Sequence, residues 1–199
     1  MLRQPFRKPF PATGHPRMHP KLPVRIKEGR VSMVELRSFS IGDMVVYPAH
    51  GVGRIEAIQQ RTINGAVLDF YILKLLNTQT IVMIPVCNVC AVGLRSVIQP
   101  NEIPRIYELF RNEPAGFSRE STPAWNKRYR DYAERIKSGA IEDIAIVFRD
   151  LHRLKAAKDL SFGERKLHDQ AQSLLVMELS TARQTPETAI LSEIEALFQ

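Results

Sequence analysis

Cys87 and Cys90 are the residues of this chain with the most obvious chemistry. A C-x-x-C can exchange a disulfide or supply half of a zinc site, and each use makes demands on its surroundings. Tetrahedral zinc needs four ligands, and neither a second cysteine pair nor a nearby histidine pair provides the rest. Disulfide exchange favours a thiol at a helix N-terminus, where the dipole lowers its pKa. Here the pair follows "IVMIPV", which reads as a strand and a turn. A second candidate is His50, inside "VVYPAHGVGRIEAI" at 45–58, but no nucleophile or metal ligand accompanies it in sequence. The G-x-G there is no dinucleotide fingerprint, because Glu56 stands where a third Gly belongs and a strand follows. Pro48 stops one strand, Gly51 and Gly53 allow a bend, and Ile55 and Ala57 resume alternation, so the stretch reads as a scaffold turn. Asp and Glu are spread over helices without a paired constellation, which leaves hydrolysis unsupported. The expectation is a protein without catalytic residues, cofactor or metal.

The third candidate is "PAWNKRYRDYAERIK", with the one Trp of the chain and four cations, Lys127, Arg128, Arg130 and Arg135, on a single helix. Trp125, Tyr129, Tyr132 and Ile136 follow at spacings of four, three and four, which is one helical face. Spacing alone favours a core face. Trp125, however, falls in the first turn beside a loop, where a ring packed at a domain edge still shows much of its surface. An exposed indole among cations suits contact with bases: it wedges while the cations hold phosphates. Unstacking costs on the order of a few kcal/mol, recovered where a duplex is already bent or melting.

The charge distribution narrows the partners. The formal charge is +7, and residues 1–38 account for all of it with nine Lys or Arg against two Glu. The remaining 161 residues are neutral, with one basic segment at 119–166 (twelve basic, eight acidic) and an acidic one at 167–199 (one basic, five acidic). A basic segment attracts polyanions through counterion release, although a solvated face is the commoner meaning. No window reaches the roughly 18 apolar residues that cross a bilayer. The best, 81–98, is broken by Pro85, Asn88 and Arg95. Residues 1–38, with six of the thirteen Pro, lack the apolar centre of a secretory signal. They read as a mobile basic extension that adheres to nucleic acid, or as residues ahead of a true start at Met33. A cytoplasmic monomer without membrane contact is expected.

The elements that must position these residues divide the chain. Over 39–97, "MVVY", "GVGRIEAIQQRTI", "VLDFYILKLL", "TIVMIP" and "VGLRSVI" are short β-rich runs, and Asn64-Gly65 is a type I′ hairpin signal. Five such strands suggest a small bent barrel, SH3-like or Tudor-like. Over 98–199 helical signals take over. "NEIPRIYELFRN" is a short helix, and Thr122 caps one that starts at Pro123 and ends at Ser138-Gly139. A helix at 140–158 shows Ile141, Ile144, Ala145, Phe148, Leu151 and Leu154 on one face. Ser161 and Glu164 form a capping box for another at 162–182, and Thr185-Pro186 opens the last. The fold class is α+β: a β-barrel domain, then a compact all-helical domain.

"FSIGDMVVYPAHGVGRIEAI", "VMIPVCNVCAVGLR", "WNKRYRDYAERIKSGAIEDIAIVFRDL" and "LSFGERKLHDQAQSLLVMEL", in this order over about 39–198, resemble the CarD/CdnL family of bacterial transcription regulators. The first motif alone also resembles the polymerase-binding module of transcription-repair coupling factors. The resemblance implies a Tudor-like domain that docks on the β subunit of RNA polymerase. It implies a helical domain that contacts promoter DNA in the minor groove at the upstream bubble edge, stabilising the open complex without catalysis. Such a protein associates with the nucleoid through the polymerase. By the same resemblance Trp125 is the wedge, Lys127, Arg128 and Arg130 follow it as basic contacts, and Arg165 and Lys166 are the basic pair of the G-E-[KR]-[KR] stretch. Arg61 matches a basic residue that contacts the β subunit in some members. A second basic position falls on Met83, so apolar contact or strand pairing along "TIVMIP", with Pro85, would replace it. Two rivals remain: an interaction adaptor without polymerase, and a thiol-dependent enzyme built on Cys87 and Cys90.

Overall fold

Pro48 and the glycines beside it do break the first apolar run. In the computed structural model, which describes residues 38–111 and 125–198 and only the backbone of Trp125, strand β1 (Met44–Tyr47) ends one residue before Pro48. Strand β2 (Gly51–Ile63) starts after a turn in which Ala49 has φ 63° and Gly51 φ 98°. His50 belongs to that turn: its N–H donates to the Tyr47 carbonyl and its ring stacks on Tyr47 at 4.7 Å. Asn64 and Gly65 both take positive φ, 51° and 82°, as a type I′ turn requires, and pass the chain into β3 (Ala66–Leu75). β4 (Ile81–Pro85) and β5 (Arg95–Ser96) complete an antiparallel sheet in the order β4-β3-β2-β1-β5. Alternation puts Ile55, Tyr71, Leu73, Leu75 and Ile84 on the inner face, with Phe39, Val45, Val89 and Leu94.

The expected barrel is not closed. β4 and β5 are the sheet's two edges, and β5 is only two residues long, too short to reach across. A helical turn occupies the intervening segment: a 3₁₀ turn at Val86–Asn88 runs into α1 (Val89–Val92). This revises the reading in which Cys87 and Cys90 follow a strand and a turn at 81–86: both lie in a helical turn. Pro85 has no N–H to extend a ladder, and Val86, Val89 and Val92 recur every third residue, a helical spacing that seats Val89 in the sheet's core.

A helix starts at the Ser161–Glu164 box read from sequence, and the one read at 140–158 buries the apolar face that its period indicates. Gln99 and Glu102 close a reciprocal box ahead of α2 (Ile103–Arg111). Then come α3 (Trp125–Ser138), α4 (Ile141–Ala157), α5 (Phe162–Arg183) and α6 (Glu187–Ala196). Thr122 and Pro123, the expected start of α3, lie outside the described residues, as do residues 1–37. Ile141, Ile144, Ala145, Phe148 and Leu151 are buried and Leu154 packs partly against them, so the expected face of α4 is the centre of the helical core. Phe110 and Phe148 meet edge-to-face at 5.8 Å, a geometry that contributes about 1 kcal/mol beyond the area buried. No helix among the described residues is long and apolar enough to cross a membrane.

Sheet and helices belong to one compact unit. Val46 and Val52 from the sheet bury themselves against Met177 of α5. A Cβ added to Gly51 would stand 3.0 Å from the Met177 sulfur, and one added to Gly139 would stand 2.8 Å from Pro48. Small residues therefore let the turn at 48–51 enter between the two layers.

Candidate nucleic-acid and protein interfaces

The first turns of α3 and α5 lie side by side, held by one buried carboxylate. Ser161 caps α5: the Glu164 N–H donates to its hydroxyl at 3.4 Å, and Glu164 in return accepts from the Ser161 N–H at 2.8 Å. Glu164 is only 2% exposed, and two cations neutralise it, Arg128 from α3 at 3.6 Å and Lys158 at 3.5 Å. Burial pushes its carboxyl up, but the Ser161 hydrogen bonds and Lys158 outweigh burial and hold it below the usual range. A residue read from sequence as a cap is thus also the bolt between two helices.

The surface above this bolt is a shallow depression lined by Asn126, Tyr129, Arg130, Phe162, Gly163 and Lys166. The structure brings Arg130 and Lys166, named from sequence on separate motifs, to this one place, and Lys127 and Arg165 are exposed on the same two first turns. Arg128 does not join them. Its side chain is 20% exposed and points to Glu164, because the carboxylate needs a counter-charge that solvent does not supply. Trp125 opens α3, one residue before Asn126; its side chain lies outside the described residues. The aromatic face of α3 climbs out of the core as it nears that end. Ile136 is 2% exposed, Tyr132 is partly buried and Tyr129 is 38% exposed. Burial, then the Asp150 carboxylate 3.5 Å from its hydroxyl, push the Tyr132 phenol up to about 12.

Sequence reasoning passed over Phe162, which is 86% exposed at the start of α5. A signal existed: Phe162 is out of phase with the buried series Leu167, Ala171 and Leu174–Leu175, so periodicity alone turns it to solvent.

A second surface lies on the sheet. Opposed residues of an antiparallel ladder share a face. Arg61 opposes Leu68, Phe70 opposes Pro85 and Ile72 opposes Met83, so the register places Arg61, Met83 and Pro85 together on the face away from the core. Phe70 and Ile72 between them are nearly covered, while Arg61 and Met83 are exposed. Ile81, 63% exposed, extends this apolar row along β4, whose outer edge pairs with no strand among the described residues. Such an edge can accept a partner's strand.

Cys87 and Cys90 are free and exposed on the helical turn after β4. Among the described residues, no three His, Cys, Asp or Glu groups are placed to hold a metal ion.

Comparison with known proteins follows the same division. Residues 39–98 match the CarD-like/TRCF RID domain, and residues 105–195 match the CarD C-terminal domain. The putative transcription factor YdeB of Bacillus subtilis (strain 168) is 34% identical over 154 residues, which cover 77% of this chain and 98% of that protein. The solved structure of CdnLNt from Myxoccoccus xanthus is 41% identical, covering 31% of this chain and 86% of its own, with a TM-score of 0.27. Two matches in this order, and a transcription-factor relative spanned almost end to end, make the chain a member of the CarD/CdnL family of transcription regulators.

Proposed function

We propose that this regulator, acting in the cytoplasm and without enzymatic activity, holds RNA polymerase and promoter DNA at once. The outer sheet face, with Arg61, Met83 and Pro85, and the β4 edge dock on the polymerase β subunit. The α3–α5 surface, with Lys127, Arg130, Arg165 and Lys166, lies against the backbone at the upstream edge of the bubble. Trp125 enters the minor groove there. Arg128 positions these groups through Glu164 rather than contacting phosphate. The protein works as a monomer.

The observation that carries this reading is the depression where α3 and α5 begin. Two exposed rings, Tyr129 on α3 and Phe162 on α5, sit among Arg130 and Lys166, beside the end of α3 that Trp125 opens. Aromatic faces flanked by cations suit bases that are already unstacking and cations that neutralise phosphate. Four exposed cations make a weak, sequence-independent contact, so a second hold on the polymerase is needed to raise the local concentration.

Purified polymerase and a linear promoter fragment test it. The protein should co-purify with polymerase and lengthen the open-complex lifetime under heparin challenge. Trp125→Ala should abolish most of that lengthening and leave co-purification intact. A protein that neither binds polymerase nor alters the lifetime refutes the reading.

A further inference from the structure

Arg95 spends most of its guanidinium on joining the sheet to the helical part of the chain. From β5, its Nη1 and Nη2 donate to the two carboxylate oxygens of Glu178 on α5, at 2.5 and 2.8 Å. Nε and Nη2 also donate to the carbonyl of Gly139, between α3 and α4, at 2.9 and 2.6 Å. Nη1 reaches the Ser96 carbonyl at 3.0 Å. Glu178, 2% exposed, accepts in addition the N–H of Ile98, where the chain leaves the sheet, at 3.1 Å. One planar, bidentate pair thus ties β5, the chain that follows it, the α3–α4 turn and α5.

The contacts around this pair leave little room for rotation. Pro48 packs on Gly139 and Gly93 so closely that a Cβ on either would meet it at 2.8 and 3.2 Å. Ala49, held at φ 63° where residues other than glycine are strained, packs against the helical core. The Val52 N–H donates to the Met177 sulfur at 3.3 Å. A tether would need none of this.

We infer that Arg95 and Glu178 are positioning residues: with the Pro48–Gly51 turn they fix the sheet's docking face and the α3–α5 surface at one spacing and angle, so that the protein acts as a rigid brace. The inference rests on the proposed function for its purpose, but its geometry is testable without it. A weak contact presented at a fixed place avoids the orientational loss that a loosely joined one incurs on binding.

Spin labels at Arg61→Cys and Lys166→Cys, in a full chain with Cys87 and Cys90 changed to Ser, report the spacing by double electron–electron resonance. The unaltered joint should give one narrow distance distribution. Glu178→Gln, and separately Arg95→Lys should the first variant fold poorly, should broaden it. In label-free proteins, the same substitutions should leave co-purification with polymerase unchanged and cut the open-complex lifetime roughly tenfold, the scale on which lost preorganisation acts. A broad distribution in the parent overturns the brace. A narrow one in both variants removes Arg95 and Glu178 as its fastening. A broadened distribution with an unchanged lifetime overturns their positioning role. A parent that does not lengthen the lifetime at all refutes the proposed function instead, while the distances still decide rigidity.

Discussion

Removing Lys166 and removing Arg128 should have different physical consequences, although both are cations of the same basic segment. Each phosphate contact releases condensed counterions, so the logarithm of affinity falls with the logarithm of salt at about 0.9 per contact on duplex DNA. Lys127, Arg130, Arg165 and Lys166 are exposed, whereas Arg128 is turned to Glu164. Four contacts give a slope of about −3.6, or a loss of about 150-fold in affinity between 50 and 200 mM salt. Lys166→Ala or Arg130→Ala should each flatten the slope by about 0.9. Arg128→Met should leave it nearly unchanged and lower stability by about 1 kcal/mol. That figure is modest because the Arg128–Glu164 contact is loose at 3.6 Å and Lys158 stays beside the carboxylate.

Fluorescence anisotropy of a labelled forked promoter fragment, titrated with full-length variants at several KCl concentrations, measures the slopes. Comparing variants with the parent cancels whatever the nine basic residues of 1–38 contribute. Urea denaturation measures the stability. If Arg128→Met flattens the slope as much as Lys166→Ala and leaves the urea midpoint alone, its guanidinium belongs on phosphate and the bolt between α3 and α5 is refuted. If Lys166→Ala changes neither slope nor affinity, the depression is not the DNA surface.

Gly139→Val should destabilise by roughly 2 kcal/mol or more, since φ there is 71° and a Cβ would stand 2.8 Å from Pro48; an unchanged urea midpoint would contradict the close approach. Burial first, then His168 and Lys155, hold the His152 pKa below its ordinary 6.5, with Glu195 opposing them. The folded state thus binds fewer protons than the unfolded one, so His152 contributes stability above 6.5 that is lost as pH falls below it. The partly exposed ring weakens this dependence, and His152→Asn should flatten the slope of stability between pH 7.5 and 5.5. Arg61→Glu and Met83→Glu should each weaken capture by an isolated β-subunit fragment about tenfold or more, with the melting temperature within about 2 °C of the parent, because both side chains project from the sheet's outer face. Unaltered capture by both would move the docking surface elsewhere on the sheet.

Signals within one element were legible and those between elements were not. Asn64-Gly65 dictated its own turn because both residues tolerate positive φ, and the Ser161–Glu164 box dictated the start of α5 because its partners are three residues apart. The α4 face could be read from a single period. Closure of the barrel was misjudged because it depends on how far a two-residue β5 reaches, and the three-residue valine spacing that makes 86–92 helical went unread behind the strand signal of "IVMIPV". Arg128 and Arg130 look alike in sequence, and only the approach of α5 turns one inward. Arg95 and Glu178, 83 residues apart, carry no local signal, and their pairing exists only once the sheet meets the helices.

Neutrality of residues 39–198 is itself a constraint on the proposed mechanism. A DNA surface with many more than four cations would bind the duplex anywhere, and the excess of nonspecific sites would draw the protein away from polymerase. A surface with few cations avoids that loss but holds promoter DNA only when something else presents it at the right place. In the proposed mechanism the sheet's docking face would supply proximity, and the Arg95–Glu178 joint would convert proximity into orientation. In that mechanism the two features depend on each other: a weak DNA contact would be useful only on a stiff joint, and the strained Ala49 and the buried Arg95–Glu178 pair are what would make the joint stiff.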